Sequence, residues 1–94
     1  MKEYFNQELV DLAKSKGFES REGLFKVYKS HGYLWMCELL QWLINDSIYI
    51  SIYFEQNKWC WRVNVEDSEY WNYENSYEEA LESGLKYTLK ELIK

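Results

Sequence analysis

The sequence has no proline, a single histidine, two cysteines and four glycines. Without proline there is no proline-rich linker or polyproline ligand segment. No low-complexity tract or internal repeat divides the chain either, and its 94 residues read as one domain. The few glycines form no G-x-x-x-x-G-K-[ST], G-x-G-x-x-G or G-x-S-x-G, so the backbone geometry for cradling phosphate or presenting a nucleophile is missing. Cys37 and Cys60 lack the C-x-x-C spacing of zinc and redox motifs. Both are read as reduced, buried thiols, Cys37 on the apolar side of a helix and Cys60 on the second face of a hairpin. His31 has no second histidine with which to build a metal site, and it reads as a polar residue at a helix start. The residues therefore predict no cofactor, no metal and no catalytic centre: not an enzyme.

Positive charge is also scarce. Eleven Lys and Arg face sixteen Asp and Glu, for a net charge of −5. A duplex-binding protein carries a basic stripe that neutralises phosphates; none is present, which argues against duplex nucleic acid as a partner. From Val63 to Leu85 there are seven carboxylates (Glu66, Asp67, Glu69, Glu74, Glu78, Glu79 and Glu82) and no Lys or Arg. That block reads first as a solvated loop and helix face, and second as a surface for a basic partner. The opening Met1 to Glu8 carries acids where a secretion signal would be apolar. No run of about 18 apolar residues suggests a membrane span. Cytoplasmic residence is the expectation.

Aromatic residues, in contrast, are abundant: five Trp, nine Tyr and four Phe. A chain of this length buries only about 60–65% of its unfolded surface. Large rings answer that limit, at roughly 150–250 Å² each, and some of them are candidates for an external contact surface.

Periodicity supplies the elements. Lys2 to Lys16 reads as a helix with Phe5, Leu9, Leu12 and Ala13 on one face, stopped by Gly17. Phe18 to Lys29 has no firm pattern, although Leu24 to Tyr28 has strand-forming residues. Ser30 or His31 opens a second helix to Asn45. Its polar stripe is Glu38, Gln41 and Asn45, and apolar residues cover most of its circumference, so it reads as central to the domain or as partly meeting another chain.

Ile48, Ile50, Ile52 and Phe54 alternate with Tyr49, Ser51 and Tyr53, and the alternation resumes at Trp59, Trp61, Val63 and Val65. This is an antiparallel hairpin in which Phe54 faces Trp59, Ile52 faces Trp61, Ile50 faces Val63 and Ile48 faces Val65. Glu66 to Asn75 is a connection with room for a third short strand around Tyr70 to Tyr73. Ser76 to Lys94 closes the chain as an amphipathic helix. It has a capping box at Ser76 and Glu79, acids in the first turn, lysines in the last, and an apolar stripe of Tyr77, Leu81, Leu85, Thr88 and Leu92. The sum is an α+β fold: a small antiparallel sheet built on the 48–54/59–65 hairpin, with helices at about 2–16, 31–45 and 76–93 packed on it. Gly84, in mid-helix, predicts a close approach to the sheet or to the Trp-bearing helix.

The closing stretch S-Y-E-E-A-L-E-S-G-L-K-Y-T-L resembles the ending of a set of small uncharacterised bacterial proteins, many of them phage-borne or on mobile elements. Their pattern is close to [ST]-Y-E-E-A-L-E-x-G-L-x-x-A-L-x-L-I. The helix from Leu34-Trp35 to Gln41-Trp42-Leu43 and the Ile-rich strand after it are similar to theirs as well, so the likeness spans about Tyr33 to Ile93. Here Thr88 stands where alanine is usual, Glu91 adds a residue before Leu92-Ile93, and Gln41-Trp42 lacks the residue that commonly separates the two. The resemblance implies an α+β fold and a mobile-element origin, and it carries no known activity.

Two surfaces remain as candidates. Glu66, Asp67 and Glu69 follow a strand end and could approach Glu74, although the loop has no glycine to bend it around a cation. Tyr49, Tyr53 and Arg62 lie on the second sheet face, where another element could cover them or where they could meet a partner. The residue types suit protein contact. The sequence thus predicts a small accessory protein that binds a protein partner or itself, with Tyr49, Tyr53, Arg62, Glu66, Asp67 and Glu69 as its contact surface. The alternative is single-stranded nucleic-acid binding by base stacking on the aromatic sheet face.

Overall fold

The computed structural model describes residues 6–19 and 32–93. In chain order the elements are α1 (Gln7–Ser15), α2 (Gly32–Ile44), β1 (Ile48–Glu55), β2 (Lys58–Val65), β3 (Ser68–Glu74) and α3 (Tyr77–Tyr87), with a π turn at Thr88–Leu92. The strands form one antiparallel sheet in the order β1-β2-β3. This is the α+β architecture expected from the alternation of patterns. Phe5, the Leu24 to Tyr28 run and His31 lie outside the described residues.

Helix α1 is shorter than the periodicity suggests. Asn6 is not helical, and its side-chain oxygen accepts the Leu9 N–H at 3.2 Å, so the helix starts at Gln7. The other end is a Schellman motif. Gly17, at φ +98°, donates its N–H to the Lys14 carbonyl, and Phe18 donates to that of Ala13. This turn swings Phe18 into the core, edge-on to Trp35 at 5.5 Å and Trp42 at 5.6 Å. The core continues through Leu9, Val10, Ala13, Leu39, Leu43, Val63, Leu81, Leu85 and Leu89.

Hairpin β1–β2 has the register that alternation requires: Ile48 opposite Val65, Ile50 opposite Val63, Ile52 opposite Trp61 and Phe54 opposite Trp59. Gln56 and Asn57 both adopt positive φ, as a two-residue turn between twisted strands demands. The third strand is longer than the short run around Tyr70 to Tyr73. It pairs with β2 over seven residues, because Glu66-Asp67 is itself a two-residue turn and Ser68 already faces Val65.

Helix α3 lies over all three strands, α2 packs on β1, and α1 rests on α3 and on the π turn. Gly84 supplies the close approach: a Cβ there would stand 3.3 Å from Trp61 Cβ and 3.4 Å from Ile50 Cγ2. The neighbour is therefore the sheet, not α2. The capping box is only half of the expected form. Ser76 Oγ accepts the Glu79 N–H at 3.1 Å, but the Glu79 carboxylate takes the Ser76 hydroxyl at 3.2 Å, so one backbone donor is satisfied there rather than two. At the other end the helix widens: Ile93 donates to the Thr88 carbonyl, five residues back. Glu91, by which this ending exceeds the pattern it resembles, lies inside that turn. Thr88 is fully buried, and its hydroxyl donates to the Gly84 carbonyl at 2.8 Å.

The second helix is less enclosed than its composition suggests. Trp35, Met36, Leu39 and Leu43 are buried, but Leu34, Cys37 and Ile44 are exposed. The expectation of a buried Cys37 is thus corrected. Among the described strands α2 packs chiefly on β1, and the flank bearing Leu34, Cys37 and Ile44 is left to solvent.

Candidate functional site

Strand alternation sends one set of side chains toward the helices and the other to the opposite face. The register aligns that second set in rows. Tyr49, Asn64 and Glu69 form one row, Ser51, Arg62 and Trp71 the next, and Tyr53, Cys60 and Tyr73 the third. Every helix–sheet packing described above lies on the other side. Among the described residues this face is open, with Tyr49 50% and Trp71 53% exposed.

The face is internally cross-linked. Arg62 carries the centre: its Nη1 is 3.3 Å from Glu69 Oε1, and its Cζ lies 5.3 Å from the centroid of the Tyr53 ring. Both members of the ion pair are well exposed, so it is worth about 1 kcal/mol at most. Its local effect is to neutralise the cation at the middle of the face. Arg62 Nε is shielded from solvent and has no hydrogen-bond partner. Tyr73 reaches from β3 across β2 to donate its hydroxyl to Glu55 Oε2 on β1 at 3.2 Å. Cys60 lies between Tyr53 and Tyr73 in their row and is fully buried. Trp71 meets Tyr73 edge-on at 5.5 Å.

These contacts hold the phenols neutral. Hydrogen bonding with the Cys60 side chain, followed by partial desolvation, pushes the Tyr53 hydroxyl up to about 12, against a smaller downward pull from Arg62. Desolvation, then the bond to Glu55 and that carboxylate's charge, raises Tyr73 above the ordinary tyrosine value. At neutral pH both phenols are protonated.

The residues picked out in sequence are only partly brought together. Tyr49, Tyr53, Arg62 and Glu69 share the open face. Glu66 and Asp67 form the exposed β2–β3 turn at its end. The run of acids does not survive as a block. Glu69 points to the open face and Glu74 to the helix face of the same strand, so the approach of Glu74 to Glu66, Asp67 and Glu69 does not occur. Glu78 and Glu79 begin α3, which follows the opposite end of β3, and Glu82 accepts a hydrogen bond from Asn6. Among the described residues no three of His, Cys, Asp and Glu come together as a cation site, and no helix is long and apolar enough to cross a membrane.

Trp71 and Tyr73 were missed as members of the face. Their alternation with Tyr70 and Asn72 was the available signal, obscured by the polar residues around them. A second exposed ring group lies at the helix-side end of the sheet, where Phe54, Trp59 and Tyr77 stack edge-on in sequence at 5.2 and 5.5 Å.

No protein-family model, curated protein or solved structure matches this chain.

Proposed function

We propose that this chain is a small non-catalytic accessory protein, of the kind carried by phages and mobile elements, which binds another protein through the open face of its sheet. The observation that carries the reading is the exposure of Tyr49 and Trp71 beside Arg62, on the face opposite the helices. Tyrosine, tryptophan and arginine are the residues that most often dominate protein contacts. Here the Tyr73 phenol and the guanidinium are already held by Glu55 and Glu69, which lowers the entropy lost on docking. The turn acids Glu66 and Asp67 add negative charge at one end of the face and favour a partner with a basic rim.

Single-stranded nucleic acid is the weaker occupant. A stacking platform works in a positive field, and Arg62 is engaged by Glu69. The test is affinity capture from a bacterial lysate with the wild-type chain and a Tyr49→Ser/Arg62→Ser variant, beside a low-salt titration with short single-stranded oligonucleotides. A protein retained by the wild type and lost from the folded variant is the expected result. Identical captures by the two chains would remove the face from consideration. An oligonucleotide shift abolished by Tyr53→Ala would replace the protein partner with nucleic acid.

A further inference from the structure

We propose that the chain also forms a two-fold symmetric dimer, by pairing the outer edge of β3, unpaired among the described residues, with the same edge of a second copy. This goes beyond the face contact, because an edge joins through backbone groups and the face through rings.

The argument starts from the β2–β3 turn. Glu66 and Asp67 are its two residues, and Val65 opposite Ser68 is the pair that closes it. Antiparallel pairs alternate between those that exchange both backbone bonds and those that exchange none, and the pair closing a two-residue turn is a bonded one. Ser68, Tyr70, Asn72 and Glu74 therefore bond to β2. Glu69, Trp71 and Tyr73 turn their N–H and C=O groups away from it. The Tyr73 N–H bears this out, since its acceptor is the Asn72 side-chain oxygen at 2.8 Å.

Natural edges are blunted by charged side chains, lysine above all, by proline or by bulges; the charges on β3 are Glu69 and Glu74. Strand β3 has no lysine and no proline, and its register runs through all seven residues without a bulge. Among the described residues no strand pairs with the outer side of β3.

The outward groups are self-complementary. Set a second copy antiparallel with Trp71 opposite Trp71. Glu69 then meets Tyr73 of the second copy, Tyr70 meets Asn72, and Ser68 meets Glu74. All three outward residues enter bonded pairs, and no glutamate faces a glutamate. A shift of two residues breaks this match: one direction leaves Tyr73 opposite Asp67 in the turn, and the other leaves Glu69 opposite Asn75, beyond the strand. The two-fold axis stands perpendicular to the sheet, so the product is six strands with both aromatic faces on one side. Each exposed Trp71 is covered by its counterpart. The Asn72 amide gives up the Tyr73 N–H, one hydrogen bond exchanged for another. A seven-residue ladder is narrow beside a standard interface of about 800 Å² per partner, so the dimer is concentration-dependent.

Sedimentation equilibrium from micromolar to millimolar concentration tests this. The mass is expected to climb from 11.5 kDa toward twice that value. Trp71→Lys sets like charges directly opposite each other at the axis, and Trp71→Pro removes an outward N–H without touching the bonds to β2; each is expected to abolish the rise. Far-UV circular dichroism checks that the variants fold, and Trp71→Lys decides alone if the proline variant does not. Tyr49→Ser, on the face but away from the edge, is expected to leave dimerisation unchanged, which separates failure of this proposal from failure of the face contact. A mass of 11.5 kDa throughout, or a dimer that persists in folded Trp71→Lys, overturns it.

Discussion

Replacing Gly84 with leucine drives four carbons into the seam between α3 and the sheet. The first of them alone would stand 3.3 Å from Trp61 Cβ, 3.4 Å from Ile50 Cγ2 and 3.5 Å from Trp61 Cγ. Trp61 Cβ is attached to the backbone of the central strand and cannot swing away as the tip of a side chain can. Two effects oppose each other. Leucine is a better helix former than glycine by about 1 kcal/mol. Overpacking a filled core costs about 1–3 kcal/mol, and the upper end applies because three further carbons follow the first. The net loss is about 2 kcal/mol, or roughly 8–16 °C in melting temperature for a domain of this size.

Gly84→Ala serves as the partner experiment. It takes nearly the same gain in propensity and only the single tight contact, so its melting temperature is expected to stay within roughly 8 °C of wild type, about 1 kcal/mol either way. Thermal unfolding followed by circular dichroism reads both. If Gly84→Leu melts at or above the wild type, the glycine is not there to admit the sheet, and the account of how α3 seats is wrong.

Further outcomes follow from the same geometry. Gly17→Ala puts a Cβ on a residue at φ +98° with nothing within 4 Å of it; the loss of about 1 kcal/mol comes from the backbone alone, and Gly17→Asn is expected to recover part of it in a urea titration. Ser76→Ala removes the acceptor of the Glu79 N–H and is expected to cost about 1 kcal/mol, with Ser76→Asp close to wild type. Tyr53 is raised from 10.0 to about 12 on folding. The neutral phenol is the favoured form, so its contribution is intact below pH 10 and is lost as pH climbs toward 12. In a phenolate absorbance titration of the native protein Tyr53 is expected to ionise near the end, and Tyr53→Phe is expected to delete that late step. A late step that survives unchanged in Tyr53→Phe would contradict the hydrogen bonding with Cys60.

What could be read along the chain was local. The hairpin register followed from Ile48 to Phe54 and Trp59 to Val65, because a period of two leaves only one way to put both apolar sets on the same side. Gly17 announced the end of α1, and Ser76 with Glu79 the start of α3. Contributions that depend on distant partners were not readable. Cys37 looked buried because its neighbours along α2 are apolar, yet it shares an exposed flank with Leu34 and Ile44. Thr88 was legible as part of the apolar stripe, but not the π turn it begins, since nothing in residue spacing marks a helix that widens by one residue.

The candidate site divides in the same way. That Tyr49, Tyr53 and Arg62 share a face is a consequence of alternation, a property each strand carries within itself. Among the described residues, whether the face stays open depends on where α1, α2 and α3 come to rest, and all three pack on the other side or on one another. The acids show the converse. They are consecutive in the chain, but a strand sends Glu69 and Glu74 to opposite faces, and the length of β3 separates the turn from the helix start. Periodic structure comes from interactions within a few residues, so it is written in order along the chain; exposure and the company a side chain keeps come from residues far away in sequence, and only folding brings those into place.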